Sequence, residues 1–392
     1  MLNFEYYAPT KVVFGKDTEK KVGELIQEQG CKKVLVHYGS GSVIRTGLLD
    51  RIYQSLDNAK IDYISLGGVV PNPRLSKVYE GIELAQKENV DFILAVGGGS
   101  VIDSAKAIGY GVYNGGDVWD FHIKKRKATG CLPIGTVLTI AAAGSEMSNS
   151  CVITNETEGI KCGHSSNYGR LKFAIMNPEL TYTLPDYQTQ CGCVDILMHT
   201  MERYFTAVST MELTDSLSEA LMRTVLKNSL ILKKEPKNYN ARAEVMWAGS
   251  LSHNGLTGCG TDGGDWACHQ LEHELGAMYD VAHGAGLSAV WGTWARYVYQ
   301  EHPKRFARFA EQVLGLPHED DILSLALKGI ETMENYYRSI DMPTSLTELG
   351  ISPDEDAIFK LAYGCSRKGT RTIGVIKKLN QEDMAEIYRR AR

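Results

Sequence analysis

Three short apolar runs, each ending in glycine and each leading into a helix-like stretch, constrain this chain more than any other feature. They are KKVLVHYG at 32–39, IDYISLGG at 61–68 and DFILAVGGG at 91–99. The helical stretches TGLLDRIYQSLDNAK, SKVYEGIELAQKEN and SVIDSAKAIGYGV follow them. Strands alternating with helices in this way predict a mostly parallel sheet covered by helices on both faces. Ligands in such sheets bind beyond the carboxyl ends of the strands. From about residue 185 the pattern changes to long amphipathic stretches at 211–233, 238–257, 303–315, 321–340 and 381–391, with little strand-like alternation. With 392 residues, two domains are expected, 1–184 being α/β and 185–392 helical.

The strand ends carry the first chemistry. Gly97-Gly98-Gly99-Ser100 joins a buried strand to a helix with Asp103 in its first turn. Glycines let backbone approach a phosphate, and a helix N-terminus offers unpaired N–H groups. A tight turn without a ligand explains the same four residues equally well, and the GxGxxG fingerprint is absent. Gly39-Ser40-Gly41-Ser42 ends the first run, where a dinucleotide fold would place an acidic residue on the ribose. Glycine and serine there, with Arg45 close behind, favour NADP(H) over NAD(H). Thr139 closes the run LPIGTVLT, and Lys161 stands in a polar hairpin or loop.

The helical half holds Asp195, His199, His269, His273 and His283, in a chain with ten histidines. Asp195 and His199, and again His269 and His273, are four apart and so share a helix face. A continuous helix from His269 to His283 would separate them by roughly 21 Å. A shared ion site therefore requires a break, and Gly276 is the expected stop. One carboxylate with three imidazoles suits Fe²⁺ or Zn²⁺. His37, His122, His164, His253, His302 and His318 are read as structural or solvated, and Trp266, Trp291 and Trp294 as wall or core residues.

Composition narrows the classes. A net charge of -5 gives no reason to expect nucleic acid or an anionic membrane as partner. No run of 18 apolar residues occurs, and MLNFEYYAPTKVVFGK lacks the basic-then-apolar order of a secretory signal. Nine cysteines without a disulfide framework suit a reducing compartment, so a cytoplasmic location is expected.

With these pieces placed, the sequence resembles the iron-containing alcohol dehydrogenase family. Gly192 to His199 followed by Glu202 is similar to its GxxDxxxHxxE segment, and His269 to Gly276 followed by His283-Gly284 to its HxxxHxxG…HG segment. Asp265-Trp266-Ala267 and Tyr38 to Ser42 resemble the butanol dehydrogenase and broad aldehyde reductase branch. The resemblance implies a dehydroquinate synthase-like arrangement of an α/β dinucleotide-binding domain and an all-α metal-binding domain. It implies Asp195, His199, His269 and His283 as ligands of Fe²⁺ (Zn²⁺ or Mn²⁺ also fitting), with His273 beside the nicotinamide. It places NADP(H) along Gly39, Ser40, Gly41, Ser42, Pro71, Gly97, Gly98, Gly99, Ser100, Asp103, Thr139 and Lys161. A small alcohol or aldehyde substrate and a homodimer are further expectations. One departure is visible: the family's TTAGTGSE reads here as Thr139-Ile140-Ala141-Ala142-Ala143-Gly144-Ser145-Glu146, so two threonine hydroxyls are missing. The rival readings are a lyase like dehydroquinate synthase, needing several basic residues around a polyanion, and a non-catalytic metal or nucleotide sensor.

Overall fold

The computed structural model describes all of residues 1–392, which divide into two compact units, 7–184 and 1–6 with 185–392. The first six residues thus belong with the helical unit, although the sequence pattern groups them with the α/β part.

The α/β unit is built on strands β1 Lys11–Phe14, β2 Lys33–Gly39, β3 Asp62–Val69, β4 Phe92–Gly97, β5 Ile134–Leu138 and β8 Phe173–Met176. They form one six-stranded sheet in the order β1-β8-β5-β4-β2-β3, parallel throughout. All six residues of β4 are buried, as expected of a central parallel strand covered on both faces. A separate antiparallel hairpin pairs β6 Ser150–Asn155 with β7 Ile160–Ser165. In registry, Gly97 at the end of β4 lies beside Leu138 at the end of β5, so both following loops start at the same edge. His37 lies fully buried in β2, with Nδ1 on the Leu66 carbonyl and Nε2 on the Ser104 hydroxyl. Burial pushes its pKa down to about 4, so the ring is neutral.

The helical unit contains the long helices Asp186–Tyr204, Glu212–Lys234, Tyr239–His253, Ala267–Tyr279, His283–Val298, Pro303–Gln312, Ile322–Ser339, Glu355–Cys365 and Gln381–Ala391. Its core is aromatic: Phe205 stacks on Phe306 at 4.5 Å, and Trp294, Phe309 and Tyr204 pack around them. Trp291 is fully buried against Phe309 and Tyr337, and Trp294 is 1% exposed. Both are core residues, so Trp291 does not supply the apolar surroundings of a substrate. Arg305 forms a buried bidentate pair with Asp215, at 2.5 and 2.7 Å, beneath the Tyr204 ring. No helix is long and apolar enough to cross a membrane.

The break expected at Gly276 lies elsewhere. The Ala267–Tyr279 helix runs through Gly276, which is buried, and ends on Asp280. Asp280 adopts left-handed φ 52°, and its N–H donates to the Gly276 carbonyl. Aspartate tolerates this conformation, so it closes the helix as a glycine otherwise would.

Candidate metal centre

Three helices deliver one convergent point. Asp195 and His199 project from the Asp186–Tyr204 helix, His269 from the Ala267–Tyr279 helix, and His283 opens the His283–Val298 helix. Close approach of the first and third is possible because residue 284 is glycine: a Cβ there would lie 2.1 Å from the Cys191 carbonyl oxygen. Asp195 Oδ1 lies 3.2 Å from His199 Nδ1, 3.6 Å from His269 Nε2 and 3.7 Å from His283 Nε2. Asp195, His199 and His269 are 4, 5 and 4% exposed. Asp195 Oδ1, His199 Nδ1 and His269 Nε2 make no hydrogen bond at all. Buried polar atoms are almost always satisfied, so three orphaned lone-pair donors aimed at one point fit a cation. The side chain of His283 is 28% exposed, which leaves an opening on that side.

The far nitrogens of two of the candidate ligands are anchored. His269 Nδ1 donates to Glu202 Oε2 at 2.5 Å, and the His269 backbone N–H reaches Glu202 Oε1 at 3.1 Å. His283 Nδ1 donates to Glu272 Oε2. Burial opposes an imidazolium at His269, but the Glu202 and Asp195 carboxylates outweigh it and push its pKa up to about 9. His199 goes the other way: burial, helped by His253, His269 and Arg203, holds it well below the usual histidine range.

His273 stands outside the convergence. Its ring is 6.3 Å from that of His269 and 5.9 Å from that of His283. The donor atoms fall into two groups, Asp195 with His199 and His269, and Glu272 with His273 and His283, and His283 joins them through its 3.7 Å approach to Asp195 Oδ1. Two neighbours carry no signal in the sequence pattern. The His253 ring meets His199 edge-on at 4.0 Å, and Arg203 donates to the carbonyls of His199 and Ser252. Arg203 also lies 4.5 Å over the Trp266 ring. Trp266 is held at φ 60°, a strained conformation for a bulky residue. Asp265 beside it accepts from the N–H groups of Ala267, Val375 and Ile376.

In the α/β unit the expected cofactor residues fall at strand ends and on the hairpin. Gly39 ends β2, and Ser40 and Ser42 are exposed around Gly41, where a Cβ would meet the Arg45 guanidinium at 3.3 Å. Pro71 follows β3 in an exposed turn. Gly97 ends β4, while Gly98 caps the 16-residue Gly99–Asn114 helix containing Ser100 and Asp103. The Thr139 N–H donates to the Gly97 carbonyl at 3.0 Å, holding the two loops together. A Cβ on Gly98 would meet Ile140 Cγ2 at 2.1 Å, so the apolar side chain in place of a threonine fills the space glycine leaves. Asp103 is occupied internally: its oxygens accept from the Ser145 hydroxyl at 2.5 Å and the Val152 N–H at 2.9 Å. Lys161 lies on β7, opposite Thr154, and its charge acts on Asp103.

Comparison with known proteins points the same way. Residues 9–178 match the family described as iron-containing alcohol dehydrogenase, and residues 189–392 match the Fe-containing alcohol dehydrogenase family, C-terminal. The chain is 39% identical to NADH-dependent butanol dehydrogenase A of Clostridium acetobutylicum over the full length of both. It is 32% identical to the NADPH-dependent aldehyde reductase YqhD of Escherichia coli, again over the full length of both. The solved structure of NADH-dependent butanol dehydrogenase A from Thermotoga maritima is 41% identical, with a TM-score of 0.96, covering 100% of this chain and 99% of that one.

Proposed function

Because the chain belongs to the iron-containing alcohol dehydrogenase family, we propose that it interconverts primary alcohols and aldehydes of butanol-like size, with NADP(H) as hydride carrier. The observation that carries this reading is the convergence of Asp195, His199, His269 and His283 through donor atoms of which three are buried and unpartnered. Those four residues would hold Fe²⁺, and Zn²⁺ or Mn²⁺ suits the same donors. When bound, the ion supplies a Lewis acid for the substrate oxygen and the nicotinamide supplies the hydride-carrying carbon.

The protein's own side chains do the rest. His283, the partly exposed ligand, marks the side on which substrate enters. His273, next to it, is the candidate to hold and pass the proton. Trp266, 5.3 Å from the His269 ring, gives the site an aromatic wall that excludes water. The Arg203 guanidinium beside His199 is committed to two backbone carbonyls and the His253 ring, which disfavours the polyanionic substrate of the lyase reading.

Cofactor preference rests on Gly39 to Ser42. No carboxylate stands there to repel a 2′-phosphate, and the Arg45 guanidinium folds back over Gly41. The relatives' names divide between NADH and NADPH, so the loop residues carry the assignment. Gly97 to Ser100 offers the helix N-terminus for the pyrophosphate, with Thr139 bonded to Gly97 and the Lys161 charge acting on Asp103 of that helix. Nine free thiols suit a reducing cytoplasm, and light scattering would give the mass of the expected homodimer.

The test is reduction of butanal by protein loaded anaerobically with Fe²⁺, followed by NADPH and NADH oxidation. Metal-dependent turnover with NADPH favoured is expected. Absence of turnover with metal and cofactor both bound would support the sensor reading instead.

A further inference from the structure

We infer that Glu202 and Glu272 are positioning residues of the metal centre, each fixing one imidazole ligand and together adding buried negative charge that favours a cation there. The inference rests on the ligand assignment above.

Geometry gives the first half. Glu202 and Glu272 are 1 and 0% exposed, and each accepts the Nδ1–H of a different histidine. With its proton on Nδ1, each ring directs the Nε2 lone pair toward Asp195 Oδ1. Glu202 is the more constrained, because its second oxygen holds the His269 backbone N–H. The three imidazoles are not equivalent: no carboxylate backs His199, whose ring lies edge-on against His253. The fold also reserves room for Glu272, since a Cβ on Gly286 would come within 2.8 Å of its Cγ.

Charge gives the second half. Glu202 and Glu272 accept from the imidazoles, and Arg203 donates to the His199 carbonyl. With Asp195, three buried carboxylates thus gather around the point where the rings converge. Uncompensated buried charge is costly, so such a set favours a cation there. A carboxylate behind an imidazole also raises its basicity as a ligand, and losing such a partner typically weakens metal binding about 10–100-fold.

The experiment is an anaerobic chelator competition with Fe²⁺ and Co²⁺ on the full chain, comparing wild type with Glu202→Gln and Glu272→Gln. Both variants are expected to bind about 10–100-fold more weakly, and their Co²⁺ visible spectra to shift, while the metal-free proteins melt like metal-free wild type. Wild-type affinity within about twofold, with an unchanged Co²⁺ spectrum, overturns the assignment for that residue. So does weakened binding that merely tracks a lower melting temperature of the metal-free protein. Should Glu202→Gln not fold, Glu272→Gln decides alone. Failure of wild type itself to bind either metal would instead refute the ligand set.

Discussion

Each unit buries a group of charged and polar side chains, and the two groups are completed in opposite ways. In the α/β unit Lys106 is fully buried, yet its ammonium reaches the carbonyls of Ser145, Ser148 and Ser150 and the hydroxyls of Ser145 and Ser148, at 2.8–3.2 Å. Asp103 is likewise satisfied by Ser145 and Val152. Burial disfavours both charges, and each offsets the other: Asp103 is shifted up and Lys106 down. In the helical unit Asp195, His199 and His269 converge at similar depth with donor atoms that nothing in the protein satisfies. The lesson is that burial alone does not mark a binding site. The completed group fixes its loop, whereas the three unsatisfied atoms, unlike scattered orphans such as those of Trp291 and Tyr337, converge on one point and so fit a cation.

The comparison can be broken at either end. The largest effect is expected at the completed group: Lys106→Met leaves Asp103 buried without its cation and should cost about 3–5 kcal/mol, read from chemical denaturation. A cost near zero would mean that the pair is not an internal brace.

Acid should act next, through His37. Its pKa is about 4 in the folded protein against an ordinary 6.5, so the unfolded chain takes up the proton first. The contribution is fully present above pH 6.5 and is lost as pH falls toward 4, to about 3 kcal/mol at 1.36 kcal/mol per pKa unit. His37→Asn should flatten that slope; an unchanged slope would place the acid sensitivity elsewhere.

A smaller gain is expected at the incomplete group. Fe²⁺ or Zn²⁺ at 100 times its dissociation constant should stabilise the protein by about 2.7 kcal/mol, seen as a higher melting temperature. No shift would contradict an ion in this set. The smallest effect belongs to the cofactor loop: Gly39→Asp should reduce the NADPH over NADH preference about tenfold, or 1.4 kcal/mol. Equal penalties for both cofactors would remove the 2′-phosphate argument.

The sequence disclosed much of this arrangement, and the omissions have physical causes. Strands β2, β3 and β4 were legible because each apolar run is long and ends in glycine, whereas β1 and β8 are only four residues long, too short for a run to stand out even with Gly15 and Asn177-Pro178 after them. The helix end was misplaced because glycine is the default left-handed residue, while here Gly276 is packed inside the helix and Asp280 turns the chain. Trp291 lies eight residues after His283, but its helix carries it into the core against Tyr337. Asp195 with His199, and His269 with His273, were recognisable as helical pairs, since i,i+4 spacing is local. Glu202 and Glu272 were visible only as letters within the family segments, because their role depends on which imidazole nitrogen they meet across three helices.

The central claim is that the buried, unsatisfied set in the helical unit is a metal site. Anaerobic metal analysis of wild type and His269→Ala, both reconstituted with excess Fe²⁺ and desalted, tests it directly. The account predicts about one equivalent retained by wild type and under about a tenth of that by His269→Ala, with butanal reduction lost in parallel. Equal metal content and equal turnover in the two proteins would contradict it.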